Sequence, residues 1–196
     1  KEKKMRKKIL LFWVTILVLN STFVFAQDAK SLFELGKSYW DKGKYGQAIK
    51  EFQKIVTANP DSELADDAQF WIGKSYYYQW DLKRAIIEYQ KVIDEYPDSD
   101  LADDAQRWIG DCYYFGKEYE RAIREYQEVI TKYPQSNNAI IAQYQIGKSY
   151  EELGDLQNAR DAYQKILTNY PNSKWINQTK FEISRVEYLM KKEGGQ

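Results

Sequence analysis

Residues 109–134 read IGDCYYFGKEYERAIREYQEVITKYP, and this stretch decides the fold because its main positions recur along the whole chain. Each of the four prolines lies 37 residues from the next, and the same step links a glycine, a tyrosine, an alanine and a second aromatic position. The five sets are Pro60, Pro97, Pro134 and Pro171; Gly36, Gly73, Gly110 and Gly147; Tyr39, Tyr76, Tyr113 and Tyr150; Ala48, Ala85, Ala122 and Ala159; Phe52, Tyr89, Tyr126 and Tyr163. A fixed period of this length predicts a repeat protein.

The residue types at these positions predict two packed helices in every repeat. Gly110 has no side chain and Ala122 has a small one, so two helices can approach closely while Tyr126 fills the space beside them. Turn residues such as Gly116 separate the helices. Pro134 ends the second helix, because a proline pushes the preceding residue out of the helical region. The sequence therefore predicts an all-α chain of helix–turn–helix repeats.

The order I/L-G-x2-Y, then A-x3-[F/Y], then P resembles the tetratricopeptide repeat (TPR). The resemblance extends over about residues 28 to 191 and implies an α-α superhelix, a TPR solenoid domain at 27–191. The boundaries expected from it are a signal peptide at 1–26, repeats at about 28–61, 62–98, 99–135 and 136–172, a capping helix at 173–191 and a tail at 192–196.

The chain departs from the TPR pattern in two respects. The usual tryptophan position carries other residues, namely Leu32, Gln69, Gln106 and Gln143. The period of 37 residues also exceeds the usual 34, and the excess lies between each proline and the next glycine. The segment after each proline is here called the joint between repeats. Ser62 and Ser99 lie in the first two joints and are expected to cap the first helix of the following repeat and to lengthen it by nearly one turn.

The long repeat, with P-x-S-x-x-A in the joint, resembles TPR proteins of the bacterial envelope. Two such proteins are the periplasmic coordinator associated with the Tol–Pal system and the lipoprotein of the β-barrel assembly machinery. The resemblance implies a non-enzymatic adaptor or scaffold that binds a protein or peptide in a concave groove, in cell-envelope assembly or division. The alternative is a structural subunit packed permanently into an outer-membrane complex through its convex face or ends. An accessory domain of a carbohydrate or peptidoglycan enzyme is a third reading, supported by shared location alone.

The first residues predict export. A basic segment at 1–8 precedes an apolar run at 9–19 and the small residue Ala26, which is the order of a secretory signal peptide. We expect cleavage after Ala26, a mature chain that begins at Gln27 and has no membrane span, and a periplasmic location. The alternative is an uncleaved membrane anchor at 9–26, since a span needs about 20 residues.

The composition limits the possible functions. Six of the 29 basic and one of the 29 acidic residues lie in 1–26, which leaves a net charge of −5, so nucleic acid is not an expected partner. Histidine is absent from the sequence, which removes the commonest general base and transition-metal ligand. We therefore expect no enzymatic activity, no metal site and no cofactor.

Two acidic pairs and one cysteine remain as candidates for chemistry. The pairs Asp66-Asp67 and Asp103-Asp104 are expected to be solvated first-turn carboxylates, because adjacent residues on a helix point about 100° apart and chelate poorly. Cys112 stands where the other repeats have serine, and a small buried packing residue is the expected role. A redox thiol or an intermolecular disulfide is the alternative for Cys112, given the expected export.

The residues expected to contact a partner lie along one stripe of each first helix, here called the first-helix stripe. Phe33, Lys37 and Trp40 illustrate its i, i+4, i+7 spacing, about 200° around the helix from the face that meets the second helix. In TPR proteins these positions line the groove. Trp71 and Trp108 are expected to flank the stripe. The predicted set, with these two, is Phe33, Lys37, Trp40, Phe70, Trp71, Lys74, Tyr77, Arg107, Trp108, Asp111, Tyr114, Tyr144 and Lys148. Rings interleaved with cations are typical of interfaces, and packing between adjacent repeats is the alternative.

Overall fold

The computed structural model of the protein describes residues 29–194, and every regular element in that range is an α-helix. The first helix, α1, spans residues 29–41. The others are α2 (Tyr45–Ala58), α3 (Ala65–Tyr78), α4 (Leu82–Glu95), α5 (Ala102–Phe115), α6 (Tyr119–Lys132), α7 (Asn137–Glu152), α8 (Leu156–Asn169) and α9 (Ile176–Gly194). The predicted all-α fold is confirmed for this range. The predicted signal peptide lies outside it.

The described helices divide into two compact units between Ser75 and Tyr76, within α3. We call residues 29–75 the N-terminal unit and residues 76–194 the C-terminal unit. In the C-terminal unit, each helix from α4 to α9 packs against the next one along the chain. This pattern of successive antiparallel neighbours is that of stacked helical repeats.

All four turns between the first and second helices of a repeat share one backbone geometry. The residue with positive φ in each is Gly43 (71°), Trp80 (65°), Lys117 (62°) or Gly154 (76°). The N–H group of the next residue then donates to the carbonyl of the repeat tyrosine, at 2.9 Å from Lys44 to Tyr39 and at 2.8 Å from Glu118 to Tyr113. Two repeats satisfy this left-handed conformation with glycine, which adopts it without steric cost, and two do not.

The glycine of the repeat motif lies directly beneath the motif's aromatic ring. A Cβ atom added to Gly110 would lie 2.5 Å from Cε1 of Tyr126, and one added to Gly36 would lie 2.6 Å from Cε1 of Phe52. Tyr126 and Phe52 are fully buried. The predicted close approach of the two helices at this position is confirmed.

The joints between repeats follow the prolines as predicted, but the role assigned to two serines is wrong. Helix α3 begins at Ala65 rather than directly after Ser62. The Ser62 hydroxyl accepts a hydrogen bond from the Leu64 N–H at 3.3 Å, and so stabilises a turn ahead of the helix. Ser99 does the same with Leu101, at 3.1 Å. The extra residues of the longer period therefore form this turn in the first two joints.

In the third joint, a serine caps the following helix, as was expected for Ser62 and Ser99. Ser136 is the N-cap of α7, and its hydroxyl accepts a hydrogen bond from the Asn138 N–H at 2.8 Å. Helix α7 has 16 residues, whereas α3 and α5 have 14 each. Serine in the joint lengthens the following helix only where it is the N-cap itself.

The last helix, α9, covers the end of the C-terminal unit. Ile183 and Val186 are buried against Tyr163 and Ile166 of α8, together with the half-buried Trp175. The predicted capping helix is confirmed in position, and Phe181 on it is 62% exposed.

Candidate partner-binding surface

In the N-terminal unit, two lysines and two tryptophans of the predicted stripe form one cluster, here called the ring–lysine cluster. Trp40 of α1 and Trp71 of α3 meet edge to face, with ring centroids 5.0 Å apart. The Lys37 ammonium lies 3.3 Å from the Trp71 ring centroid, and the Lys74 ammonium lies 4.4 Å from the same centroid. Two positive charges therefore share one indole surface that remains partly open to solvent.

A carboxyl group lies beside this cluster. Burial and the neighbouring Asp66 raise the pKa of the Asp67 carboxyl above its ordinary value, whereas Lys37 acts in the opposite direction. Asp67 is half-buried rather than solvated as the sequence suggested. The cluster is thus a mixed surface of rings, two ammonium groups and neighbouring carboxylates.

The two phenylalanines of the stripe have a packing role. The Phe33 ring lies 5.4 Å from the ring of Phe52, the fully buried aromatic of the first repeat. Phe70 is only 6% exposed. Phe70 was predicted to contact a partner, but its burial leaves almost no side-chain surface for that purpose.

In the C-terminal unit, the aromatic members of the stripe form a chain of edge-to-face contacts. The Tyr77 ring lies 4.9 Å from Trp108 and 6.0 Å from Phe115. Trp108 also stacks on the buried Tyr89, with ring centroids 6.1 Å apart and ring planes 20° apart. Trp108 therefore packs against the core as well as contacting Tyr77. Tyr77 is half-buried.

Arg107 and Asp111 were predicted to face a partner, and the structure shows them paired with each other instead. Their side chains form an i, i+4 ion pair in α5, with 2.5 Å between Nη1 and Oδ2. The Tyr126 hydroxyl donates to the other Asp111 carboxylate oxygen at 2.7 Å. Asp111 is 6% exposed, and this burial raises the pKa of its carboxyl although Arg107 and Tyr126 lower it. Asp111 is thus an internal acceptor rather than a contact residue.

The same arginine connects α5 to α7. Its Nε donates to the Asn138 side-chain oxygen at 2.8 Å, and the Asn138 amide donates to Asp103 at 3.0 Å. The Ser136 hydroxyl, which caps α7, also hydrogen-bonds to Asp103. Asp103 was expected to be a solvated first-turn carboxylate, and it is instead the acceptor that ties α7 to α5.

Tyr144 and Lys148 on α7 are likewise engaged within the unit. The Tyr144 hydroxyl donates to Glu182 of α9 at 2.9 Å, and burial together with this carboxylate raises the pKa of Tyr144 to about 12. Lys148 lies 3.7 Å from Glu151, which is also paired with Arg185 of α9. These contacts attach the last helix to the unit.

Tyr114 contacts other residues of the C-terminal unit and is also partly exposed at its surface. Its hydroxyl lies 3.5 Å from Glu152, and its ring contacts Phe115 and Tyr119 at 5.4 and 5.5 Å. Burial and Glu152 raise the pKa of its hydroxyl to about 12. Tyr114 is half-buried, so part of its ring remains available at the surface.

The sequence prediction missed two exposed aromatic residues on α9. Phe181 and Tyr188 are 62% and 67% exposed. They lie 37 residues after Tyr144 and Glu151, so the first-helix stripe continues onto the last helix. Extending the 37-residue register by one more step would have found them.

The sequence prediction also missed a group of exposed rings at the turns between α3 and α4 and after α5. Trp80, Tyr78 and Phe115 are 65%, 47% and 44% exposed. The available signal was a tryptophan at the turn position that is glycine in the first and fourth repeats.

Cys112 is buried, as predicted for a packing residue. Burial, together with the nearby Asp111, raises the pKa of its thiol well above the ordinary range. A thiol in this state is poorly ionised at neutral pH and unreactive.

Successive paired helices that repeat at a fixed period place the chain in the class of helical-repeat proteins. Two tetratricopeptide-repeat family profiles match the sequence, one at residues 33–100 and the other at 104–136 and again at 141–173. The chain belongs to the tetratricopeptide repeat family. Members of this family are protein-interaction scaffolds.

Comparison with solved structures agrees with the family at the level of fold. A tetratricopeptide repeat protein from Parabacteroides merdae is similar with a TM-score of 0.64 and 19% identity, over 87% of this chain and 68% of that one. A Podospora anserina protein with nearly identical TPR-like repeats gives 0.62 and 12%, over 80% and 84%. MamA of AMB-1 gives 0.57 and 17%, over 83% and 82%. No curated protein matches the sequence with significance.

The finer resemblance to the Tol–Pal-associated and barrel-assembly proteins stays a prediction. Within residues 29–194, none of the helices combines the length and the apolar character needed to cross a bilayer.

Proposed function

We propose that this chain is a non-enzymatic periplasmic adaptor that binds a protein segment through its first-helix stripes and helps to organise cell-envelope assembly or division. The ring–lysine cluster carries the proposal. It places two ammonium groups against two indoles on neighbouring first helices of the N-terminal unit. Tryptophan is among the residues most enriched at the energetic centres of interfaces.

The chemistry of the cluster favours a particular kind of partner segment. Partly open indole surface accepts an aromatic or aliphatic side chain, and two close ammonium groups attract a carboxylate. A segment that combines acidic and apolar residues matches both features. Because salt screens partly exposed charges, binding should weaken as ionic strength rises.

Substitution of both lysines by methionine tests the proposal. Lys37→Met with Lys74→Met keeps the apolar stems of the side chains and removes the two charges. We expect binding to a partner captured from envelope extract to weaken by about 2 kcal/mol, as for interface hot spots. The salt dependence of the remaining binding should also decrease. Both quantities are measured by titration with the purified partner at low and high salt.

The matched control removes two lysines at an equivalent pair of positions on second helices. Lys54 and Lys91 lie 37 residues apart and pair with Glu51 and Glu88 at 2.6 and 3.0 Å. Lys54→Met with Lys91→Met should leave binding unchanged. Equal losses in both double variants would show that net charge matters and that the cluster does not. A stoichiometric assembly that ignores all four lysines would favour the structural-subunit alternative.

The expected export is tested separately. Because the N-terminal order of residues is that of a signal peptide, mass spectrometry of the mature protein should find Gln27 as its first residue. Intact residues 7–25 in the membrane fraction would show an uncleaved anchor instead.

A further inference from the structure

The turn between α3 and α4 holds a tryptophan in a backbone conformation that suits glycine. Trp80 has a φ of 65°, and the same turn position is Gly43 in the first repeat and Gly154 in the fourth. A bulky residue rarely adopts this left-handed conformation, and residues held in it cluster at functional sites. The indole is nevertheless 65% exposed, so its burial does not explain its presence.

Two further rings at this edge are also exposed. Tyr78 and Phe115 occupy the position that is Asp41 in the first repeat and Glu152 in the fourth. The Phe115 ring lies 6.1 Å from Trp80. Since two repeats adopt the same fold with carboxylates at that position, the repeat fold does not require an aromatic residue there.

An open cleft of about 470 Å³ lies beside Trp80, here called the Trp80 cleft. Its wall from the start of α4 includes Lys83 and Ile86, and its wall from α5 and the following turn includes Tyr113 and Glu118. Gln79 lies at the same cleft. Its volume is in the range of small-ligand sites, and its lining combines apolar side chains with an amide, an ammonium and two carboxylates. The carboxylates of Asp81 and Glu118 also pair with Arg84 and Arg121.

Three backbone N–H groups around the cleft are already used within the turns. The N–H groups of Trp80 and Asp81 donate to the carbonyls of Tyr77 and Tyr76 at 2.8 and 2.9 Å. The Glu118 N–H donates to the Tyr113 carbonyl at 2.8 Å. These groups are therefore not available to a polypeptide strand that pairs through its main chain, which favours a ligand held by ring stacking and by polar side chains.

We propose that the Trp80 cleft is a saccharide-binding site. A pyranose ring has an apolar face of C–H groups that stacks on an exposed indole, and its hydroxyl groups exchange hydrogen bonds with amide and carboxylate side chains. Trp80 supplies the indole, and Gln79 and Glu118 supply the polar groups. Lys83 adds a positive charge that suits a sugar carrying a carboxylate. The site uses none of the residues of the ring–lysine cluster, so it goes beyond protein binding.

The test uses an array of neutral, amino and acidic oligosaccharides, followed by titration of the strongest binder with the whole mature chain. Trp80→Gly removes the indole and installs the residue that the first and fourth repeats carry at the same φ. We expect this variant to bind at least about tenfold more weakly, with a thermal midpoint no lower than that of the wild type. Trp80→Phe, which keeps a ring, should recover part of the affinity.

Lys117→Gly is the matched control. Lys117 has a φ of 62° at the equivalent turn of the next repeat, so this change relieves the same backbone conformation without touching the cleft's indole. It should leave saccharide binding unchanged. The proposal is wrong if no oligosaccharide binds the wild type above background, or if Trp80→Gly binds as tightly as the wild type. Loss of a captured protein, rather than of a saccharide, in Trp80→Gly would also overturn it and make the cleft a protein-docking site.

Discussion

Residues at equivalent positions of the first-helix stripe have different roles in the N-terminal and C-terminal units. Lys74 in α3 and Asp111 in α5 occupy equivalent positions, 37 residues apart. In the N-terminal unit, Lys37 and Lys74 lie against tryptophan rings. In the C-terminal unit, Arg107 pairs with the buried Asp111 and hydrogen-bonds to α7. Two substitutions, Asp111 for Lys74 and Arg107 for Phe70, thus separate a cluster of cations and rings from an ion pair that holds neighbouring helices together.

The difference also has an energetic side. A cation against an exposed ring contributes about 0.5 to 1 kcal/mol and leaves the cation in contact with water. A buried ion pair gains little over apolar packing, but the loss of one partner leaves an uncompensated charge in the interior. The C-terminal unit should therefore be the sensitive one to substitution along the stripe.

The largest expected effect comes from breaking the buried pair. Asp111→Ala leaves the buried Tyr126 hydroxyl without this acceptor and removes the closest carboxylate from the Arg107 guanidinium, which keeps Asn138 and the more distant Asp104. It should cost about 3 kcal/mol of unfolding free energy. Lys74→Ala at the equivalent position should cost under about 1 kcal/mol. Urea unfolding of the two variants measures both. Equal losses would erase the distinction between the units, and Arg107→Met with Asp111→Leu should restore much of the stability.

The next prediction asks whether the C-terminal unit also contributes to recognition. Tyr77→Ala with Tyr114→Ala removes two half-buried rings of its stripe, and should weaken partner binding by about 2 kcal/mol or more. Folding should change less, because neither ring is fully buried. A thermal melt and a pull-down are measured on the same variant. Unfolding that accounts for the whole loss of binding would assign both tyrosines to the core and confine recognition to the N-terminal unit.

A large side chain at the repeat glycine should lower the stability of both units by similar amounts. Gly110→Leu and Gly36→Leu each force a side chain into an aromatic ring, at a cost of about 1 to 3 kcal/mol. Hydrogen exchange should show the loss mainly in adjacent helices, because stability in repeat proteins is close to one-dimensional. A thermal midpoint unchanged in either variant would mean that the glycine contact is looser there than the structure shows.

Acidification should change the stability of the protein least, and the change should have opposite signs in the two units. Burial would raise the Glu182 pKa, but hydrogen bonds from Arg185, Tyr144 and Gln178 outweigh it and place the pKa below its ordinary value of 4.5. Its contribution to stability is present above pH 4.5 and is lost as the pH falls through the folded-state pKa. For a partly exposed ion pair such as Glu182–Arg185, the loss should not exceed about 1 kcal/mol.

Asp67 has the opposite linkage. Its pKa is raised above 3.8, so its contribution is present below pH 3.8 and is lost as the pH rises through the folded-state pKa. Hydrogen exchange between pH 6 and 3 can follow the amides of Val186 in α9 and Ile55 in the N-terminal unit. As the pH falls, the free energy of opening should decrease at Val186 and should not decrease at Ile55. A decrease at Ile55 without one at Val186 would contradict these assignments.

The period of the sequence was sufficient to predict the fold, because Gly110, Tyr126 and Pro134 each act through local geometry that every repeat shares. It also predicted the ring–lysine cluster, since Lys37 and Trp40 follow helical spacing. It did not predict the burial of Asp111. That burial accompanies the hydrogen bond from Tyr126 of α6, which the spacing within α5 does not signal. The positive φ of Trp80 was not predicted either, because it comes from the turn geometry that the repeats share and not from a preference of tryptophan.

The contact from Arg107 through Asn138 to Asp103 has a consequence for how such a chain can evolve. A gene built by duplication can gain or lose a 37-residue copy by recombination, and the helices remain in phase wherever the exchange occurs. An exchange between α5 and α7, however, separates Arg107 from Asn138 and Asp103 from both Asn138 and Ser136, and so removes the hydrogen bonds that tie α7 to α5. The third repeat and the start of the fourth should therefore be inherited as one block, while the copies around them remain free to be duplicated or lost.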